Sequence, residues 1–248
     1  MARGIKGKVA VVTGAAQGIG AGIVRRLLSE DAMVAAVDVQ PIAMDAAGAG
    51  RLLSVTADVS TEAGCEAYLT QALAEFGRID LFVNNAGILG ASSDLAAMPF
   101  DEFQRVMAIN VNSVFLGLRG VIRHMRERTG GGAIVNMSSV AALRAAKNRC
   151  AYAASKAAII ALTKSAAVET GRDNIRVNAV CPSAVDTPMS DLVDRARAAA
   201  GGQMNIADRP IPRKATPEEI ADLVAYLLSD EARFQTGGAY MIDGGVTA

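Results

Sequence analysis

Lys8-Val-Ala-Val-Val-Thr-Gly-Ala-Ala-Gln-Gly-Ile-Gly20 is the stretch that decides the fold. Its first half is a short, β-branched apolar run, typical of a strand buried on both faces. Its second half places glycines at 14, 18 and 20, directly before a helical pattern. Glycine lets the backbone turn sharply and approach a phosphate, whose charge the helix N-terminus favours. The stretch predicts a strand, a phosphate-binding turn and a helix; the alternative is a tight strand–helix turn without a ligand.

The same alternation continues along the chain. Apolar runs predict strands over 33–38, 52–57, 80–83, 132–137, 175–181 and 239–242. Helical spacing predicts helices over 18–28, 61–76, 101–128, 152–169 and 217–228. Strands followed by helices, joined by right-handed crossovers, indicate a parallel sheet covered on both faces. The prediction is a single α/β domain over 1–248, a doubly wound (Rossmann-type) sheet of about seven strands, with an irregular substrate lid at about 187–213.

Composition excludes several classes of protein. Lys+Arg and Asp+Glu are 25 each, so the uniform positive field of a nucleic-acid binder is missing. Apolar residues make up 51% of the chain, which excludes disorder. No apolar run approaches the roughly 20 residues of a membrane span, and the N-terminus lacks a signal-peptide core. Three scattered cysteines without a C-x-x-C pair predict reduced, buried thiols, and hence a cytoplasmic protein. The balanced charge and the lack of a long apolar run predict that it contacts neither nucleic acid nor membrane.

His124 is the single histidine of the chain. A zinc site built on several histidines is therefore impossible, and we predict no metal. Its basic, polar surroundings predict a solvated position at the end of a helix.

Asp38 ends the second predicted strand, 18 residues after Gly20. A carboxylate at that place accepts the hydroxyls of an adenosine ribose and repels a 2′-phosphate. Neither the turn residues 15–17 nor Val39 supplies a cation to neutralise such a phosphate. NAD is therefore favoured over NADP.

Tyr152 and Lys156 stand four residues apart, on one face of a predicted helix. Tyrosine is a poor base at neutral pH, and a neighbouring ammonium lowers its pKa. Ser139, just past the fifth predicted strand, offers a hydroxyl to a substrate oxygen. Alone, this tyrosine–lysine spacing usually means only two surface residues.

Together these residues resemble the classical short-chain dehydrogenases/reductases, and the resemblance covers essentially the whole chain. Residues 13–20 match the cofactor turn of that family, and Asn84-Asn-Ala-Gly87 matches its fourth-strand signature. Asp58-Val59 matches the adenine-contacting pair, and Ile242-Asp-Gly-Gly245 the ending of the last strand. Asn110, Ser139, Tyr152 and Lys156 match the catalytic tetrad at the family spacing.

The resemblance implies a role for each member of the tetrad. Tyr152 is the general acid/base, and Lys156 lowers its pKa and binds the nicotinamide ribose. Ser139 orients the substrate oxygen, and Asn110 holds a water that relays protons. The cofactor-contacting residues that it implies are Gly14, Gln17, Gly18, Ile19, Gly20, Asp38, Val39, Asp58, Val59, Asn85, Ala86, Gly87, Tyr152, Lys156, Pro182, Val185 and Thr187.

Ser183 departs from the family pattern, which has glycine after Pro182. Either its side chain touches the substrate, or it is tolerated at a negative φ. Arg149, three residues before Tyr152, either pairs with an anionic group on the substrate or is a surface or interface arginine. Met189, in the lid, is a third candidate substrate contact.

Three functions follow from these observations. The favoured one is an NAD-dependent dehydrogenase that moves a hydride between nicotinamide and a secondary alcohol or ketone. The alternative is an NADPH-dependent 3-oxoacyl-thioester (acyl-carrier-protein) reductase, and a non-catalytic dinucleotide sensor is the third. Family members commonly form tetramers through their two long helices, so we expect a homotetramer or a homodimer.

Overall fold

Seven parallel strands form one sheet in the computed structural model, which describes residues 3–44, 50–144, 147–199 and 209–248. Their order across the sheet is β3-β2-β1-β4-β5-β6-β7. The strands are β1 (Val9–Thr13), β2 (Met33–Asp38), β3 (Leu52–Thr56), β4 (Leu81–Asn84), β5 (Gly132–Met137), β6 (Ile175–Pro182) and β7 (Ala239–Ile242). The predicted doubly wound fold is confirmed, because the strand order reverses between β1 and β4.

Helices cover both faces of this sheet. They are α1 (Gly18–Ser29), α2 (Glu62–Phe76), α3 (Phe100–Met107), α4 (Ser113–Arg126), α5 (Cys150–Thr170), α6 (Pro188–Ala199) and α7 (Pro217–Leu228). Two of them begin at a threonine cap. Thr61 Oγ1 accepts from the Gly64 N–H before α2, and Thr216 and Glu219 form a reciprocal capping box before α7.

The alternating strand residues divide the core into two layers. On one face, Ala10 and Val12 of β1 pack with α1 and α7. On the other, Val11 and Phe82 pack with α2, α4 and α5. Because each strand is buried on both sides, its sequence is continuously apolar rather than alternating.

The predicted helix over 101–128 is a continuous helix from Phe100 to Arg126 with a π-helical turn at Ala108–Asn112. Such turns recur at functional sites. By length and composition alone this helix is apolar enough to cross a membrane, contrary to the expectation from its sequence. Val106, Val114 and Val121 are buried in the protein, so the apolar face of the helix is used in the core.

The expectation of an irregular lid over 187–213 is wrong for its first half. Residues 188–199 form α6, and Thr187 Oγ1 accepts from the Ser190 N–H at its start. Its predicted apolar members Ala200 and Met204 lie outside the described residues. The sequence does carry a helical pattern, because Met189, Leu192, Val193 and Ala196 stand at positions i, i+3, i+4 and i+7, and the prediction of an irregular stretch overlooked it.

His124 is half-buried, contrary to the prediction of a solvated residue. Its Nε2 accepts a 3.1 Å hydrogen bond from the Ile79 N–H, and burial lowers its pKa. Of the three thiols, all free, Cys65 and Cys181 are buried as predicted, whereas Cys150 is half-buried.

Candidate active site

The predicted site residues follow the carboxyl ends of the strands. Asp38 closes β2, Asn85 follows β4, Ser139 follows β5 and Ser183 follows β6. In a parallel sheet these ends meet at one edge, and ligands bind where the strand order reverses. The fold thus brings to one edge residues that lie up to 145 positions apart in sequence (38 to 183).

The glycines after β1 form a crowded turn. Gly14 and Gly18 have φ of 65° and 55°, where other residues are strained. A Cβ on Gly14 would lie 2.7 Å from the Ala86 Cα, and one on Gly20 only 1.9 Å from the Gly14 carbonyl oxygen. Gln17 is the N-cap of α1 and Ile19 packs on the core; among the described residues, no side chain caps this helix. Its first N–H groups therefore point toward the turn.

The Asp38 carboxylate lies directly behind this turn. Its Oδ2 accepts a 2.9 Å hydrogen bond from the Ala16 N–H, and its Oδ1 accepts one of 3.0 Å from Gln40. Val39, next to it, is 60% exposed. The turn and the carboxylate are thus one hydrogen-bonded unit.

Asp58 and Val59 lie beyond the end of β3. Asp58 is exposed and accepts from the N–H and hydroxyl of Ser60, whereas Val59 is buried in the core. Asp58 therefore also shapes the loop that leads into α2.

The Asn84–Gly87 segment is tied to the glycine turn. Asn85 Nδ2 donates to the carbonyls of Thr13 and Gly14 at 3.0 and 2.9 Å. The backbone N–H groups of Asn85 and Ala86 donate to Thr13 Oγ1. Gly87 faces the other way: a Cβ there would lie 3.2 Å from Asn110 Oδ1 and 3.4 Å from Lys156 Nζ.

Tyr152 and Lys156 share one face of α5, as predicted. Lys156 Nζ donates to the Met137 carbonyl oxygen at 2.9 Å and lies 5.6 Å from the centroid of the Tyr152 ring. Ser139 Oγ accepts from the Ala141 N–H and donates to the Pro182 carbonyl at 3.4 Å. Ser138, which the sequence analysis did not single out, donates to the Lys156 carbonyl at 2.8 Å and fixes the helix to β5.

Burial dominates the electrostatics of this pair. It lowers the pKa of Lys156 to about 8. It raises the pKa of Tyr152, against the hydrogen bond from Ser139 and the positive charge of Arg149. The expected lowering of the Tyr152 pKa by Lys156 is thus not seen among the described residues. Desolvation of the phenolate outweighs the nearby charges there.

Asn110 lies on the π-helical turn and is completely buried. Its Oδ1 accepts from the Ile88 N–H at 2.8 Å, and its Nδ2 donates to the Ile88 carbonyl and to Ser155 Oγ. Ser155 Oγ in turn donates to the Tyr152 carbonyl at 2.7 Å. Sequence reasoning missed Ser155, although its place directly before Lys156 was visible.

The residues after β6 border the same edge. Val185 is buried and pairs with Ala215, and Thr187 lies over Gly18, whose Cβ would meet the Thr187 methyl at 3.2 Å. Ser183 has no positive φ, and its hydroxyl donates to the Asp243 carbonyl at 3.0 Å. The backbone of Ser183 therefore accommodates a side chain without strain, and its contact with the substrate stays a prediction.

Arg149 and Met189 flank the tyrosine and the lid. Arg149 is the half-buried N-cap of α5, and its backbone pairs with Ser93. Its positive charge opposes the rise of the Tyr152 pKa. Met189 is half-buried in the first turn of α6. Within the described ranges, no cluster of three or more His, Cys, Asp or Glu residues could hold a metal ion.

Known proteins share this sequence and arrangement. The sequence model of a family described as Enoyl-(Acyl carrier protein) reductase matches residues 14–247. Levodione reductase of Leifsonia aquatica is 39% identical over 97% of this chain and 94% of its own length. A crystal structure of levodione reductase superposes with a TM-score of 0.91 at 38% identity, covering 97% of both chains. The chain belongs to the short-chain dehydrogenase/reductase family.

Two further members of the family bear on activity. Cis-4-hydroxycyclohexanecarboxylate dehydrogenase of Sinomonas cyclohexanicum is 41% identical over 97% of both chains. The 3-ketoacyl-(acyl-carrier-protein) reductase of Brucella melitensis, solved with NADH, has a TM-score of 0.88 at 33% identity and covers 98% of this chain and all of its own. This short-chain dehydrogenase/reductase is an oxidoreductase that uses a nicotinamide dinucleotide and acts on CH–OH groups.

The residues present fit such a cofactor. Gly14 and Gly20 leave no room for a Cβ against the backbone of Ala86 and Gly14, so the turn keeps its tight path only with glycine there, beside the uncapped N-terminus of α1. This is the donor set that a pyrophosphate requires.

Proposed function

We propose that the chain is an NAD-dependent dehydrogenase that oxidises a secondary alcohol, or reduces its ketone, with Tyr152 as general acid/base. The observation that carries the cofactor preference is the 2.9 Å hydrogen bond between Asp38 Oδ2 and the Ala16 N–H. It holds a carboxylate against the phosphate turn, where a ribose hydroxyl is accepted and a 2′-phosphate is repelled. Asp38 Oδ1 also accepts from the Gln40 N–H.

The proton-transfer step is assigned to Tyr152 with Ser139 and Lys156. NAD, when bound, would supply the hydride acceptor and a positive charge that favours the Tyr152 phenolate. Tyr152, as the phenolate, takes the alcohol proton and becomes the hydroxyl, while the Ser139 hydroxyl, held at the end of β5, orients the substrate oxygen. The Lys156 ammonium, fixed by Met137, donates to the nicotinamide ribose and stabilises the phenolate.

Proton exchange with solvent is assigned to Asn110. Both Nδ2 hydrogens are used by Ile88 and Ser155, so only an acceptor oxygen of this residue is left to hold a water. Gly87 keeps the space between Asn110 and Lys156 open. The relay would therefore run from Tyr152 through Lys156 toward this water.

The remaining cofactor contacts are proposed from their placement. Thr187 and Val185 lie opposite the glycine turn, and Pro182 lies beside Ser139. Asp58 and Val59, which follow β3 beside β2, are proposed to contact the adenine. Residues 187–213 act as the substrate lid of a single domain over 1–248.

Arg149 is proposed to bind an anionic group on the substrate, and Met189 to line the apolar part of the site. The support is the action of the Arg149 charge on Tyr152, together with the carboxylate in the name of the Sinomonas relative's substrate. We expect Arg149→Ala to raise KM for a hydroxycyclohexanecarboxylate and to leave KM for uncharged cyclohexanol nearly unchanged. Equal effects on both substrates would contradict this role.

The test of the function is an assay of NADH absorbance with secondary alcohols, including 4-hydroxycyclohexanecarboxylate, in NAD and in NADP. Tyr152→Phe is the inactive control. We expect turnover in NAD that Tyr152→Phe abolishes. Turnover only of an acetoacetyl thioester with NADPH would establish the alternative, which the Brucella neighbour supports by its name although it was solved with NADH.

A homotetramer, or a homodimer, is proposed through α4 and α5. The outer face of α5 presents exposed small or apolar residues at a spacing of three and four. They are Ala154, Ala157, Ala161 and Val168, and Phe115 of α4 is 48% exposed. Light scattering of the wild type and of Ala157→Arg would test this. The free thiols support a cytoplasmic location.

A further inference from the structure

A cleft of about 430 Å³ opens beside the loop that follows Ser139. The residues that line it, of those the structure describes, are Leu143 and Arg144 from this loop and Val246, Thr247 and Ala248 from the last part of the chain. Its volume lies in the range of small-molecule sites. None of these residues belongs to the tetrad or to the glycine turn.

Residues 243–248, here called the 243–248 segment, form a compact structure of their own. The Asp243 carboxylate accepts from the N–H groups of Gly245 and Thr247, both at 2.9 Å. Backbone turns join Val246 to Asp243 and Ala248 to Gly245. A segment whose polar groups are satisfied internally can act as a fixed wall.

Three hydrogen bonds hold this wall to the edges of the active site. Ser183 Oγ donates to the Asp243 carbonyl at 3.0 Å, beyond β6. The Ile211 N–H donates to the Gly244 carbonyl at 3.1 Å, where the chain returns from the lid. Arg144 Nη1 donates to the Val246 carbonyl at 3.1 Å, five residues after Ser139. The 243–248 segment is therefore bonded to the residue after β6, to the end of the lid and to the loop after Ser139.

Ser183 connects the wall with the catalytic serine. Ser139 Oγ donates to the carbonyl of Pro182, and the next residue, Ser183, grips Asp243. This accounts for the serine at a position where the family has glycine, because glycine has no hydroxyl to hold the segment. The wall of the cleft is thus linked to Ser139 through two hydrogen bonds and the Pro182–Ser183 peptide.

The lining combines two apolar side chains, Leu143 and Val246, with the polar Arg144 and Thr247. Leu143 is 60% exposed toward solvent, and Val246 adds a second apolar surface. The Arg144 guanidinium donates a hydrogen bond to the Val246 carbonyl and so holds the 243–248 segment in place. We infer that the 243–248 segment is the outer wall of the substrate site, and that the cleft receives the apolar ring system of the substrate distal to its reacting carbon. This inference rests on the proposed alcohol dehydrogenase function.

A steric test uses two alcohols of different length, cyclohexanol and a fused-ring 3-hydroxysteroid. Val246→Phe fills the cleft, and the ratio of kcat/KM for the steroid to that for cyclohexanol is expected to fall about tenfold or more. Ser183→Gly, which frees the wall, is expected to lower the same ratio less. An unchanged ratio in Val246→Phe overturns the inference, because the steroid then lies elsewhere.

A second readout does not depend on turnover. The chain contains no tryptophan, so Leu143→Trp places a single fluorophore at the rim of the cleft. Titration of a 3-ketosteroid in the presence of NAD is expected to change its emission saturably. The matched control is Gln71→Trp, on the exposed side of α2, which should not respond. Equal responses, or none from Leu143→Trp, overturn the inference; a saturable response without any alcohol turnover overturns the proposed function alone.

Discussion

The ammonium of Lys156 lies 2.9 Å from the carbonyl oxygen of Met137, the last residue of β5. Its side chain is buried, and the Tyr152 ring lies beside it with its centroid at 5.6 Å. A buried cation with so few polar partners has a low pKa, about 8 here. The positive charge of Lys156 therefore lowers the free energy of unfolding, because it is buried.

Lys156→Met is expected to raise stability while removing activity. The folded pKa of Lys156, about 8, lies below its ordinary 10.5, so between these values the unfolded chain binds more protons and this group makes stability rise with pH. Removing it should raise Tm at pH 7, by an amount that shrinks as the pH approaches 10. Thermal unfolding at both pH values checks this, with Lys147→Met, exposed before α5, as control. A lower Tm at pH 7 would contradict it.

Asp38→Ser is expected to move the cofactor preference toward NADP. The substitution removes the charge that repels a 2′-phosphate, and the preference for NAD should fall about tenfold or more. The measurement is kcat/KM for NAD and NADP with one alcohol. Asp58→Ser, at the end of the neighbouring strand, should change both values alike. A preserved NAD preference in Asp38→Ser would show that another residue sets it.

Ser155→Ala tests the positioning of Asn110 and Tyr152. Losing the hydroxyl leaves the buried Asn110 Nδ2 without one acceptor, at a cost of roughly 1–3 kcal/mol. We expect kcat to fall about tenfold and the pH profile of kcat to shift, with KM for NAD little changed. Ser54→Ala, exposed on β3, is the control. A pure loss of stability with a normal pH profile would mean that Ser155 is only structural.

His124 is expected to make stability fall in mild acid. Its folded pKa lies below the ordinary 6.5, so its contribution is complete above pH 6.5 and is lost as the pH falls through the folded value. Protonation removes the Nε2 lone pair that accepts from Ile79, worth about 1 kcal/mol. His124→Gln keeps an acceptor that does not titrate, so its free energy of unfolding should depend less on pH between 7 and 5. Parallel curves for both proteins would count against this.

Sequence periodicity predicted the sheet and most helices because their burial is regular. The continuous apolar runs of Val9–Thr13 and Gly132–Met137 are strands at those bounds or within one residue of them. The glycine turn and the tyrosine–lysine pair were predictable because each is a local pattern. Their roles remain predictions until the variants are measured.

What the sequence did not show depends on distant partners or on hydrogen-bond register. The bond between His124 and Ile79 spans 45 residues, and that between Ser183 and Asp243 spans 60. The raised pKa of Tyr152 follows from burial by the whole site, whereas the spacing to Lys156 alone suggested the opposite direction. The buried chain from Asn84 through Asn136 to Thr163 likewise joins three elements without a motif.

Because of the π-helical turn at Ala108–Asn112, the number of residues in this helix affects where Asn110 lies. Each residue of an α-helix rotates the chain by about 100°. Deleting one residue from the π-helical turn would restore a regular helix. Asn110 would then rotate away from Ile88 and Ser155, while the apolar residues of α4 would stay in the core. The length of this helix thus decides, as much as the identity of residue 110 does, whether Asn110 reaches the proposed site. Insertions and deletions, which usually wreck a core helix, are here a route by which such a site can arise or be lost.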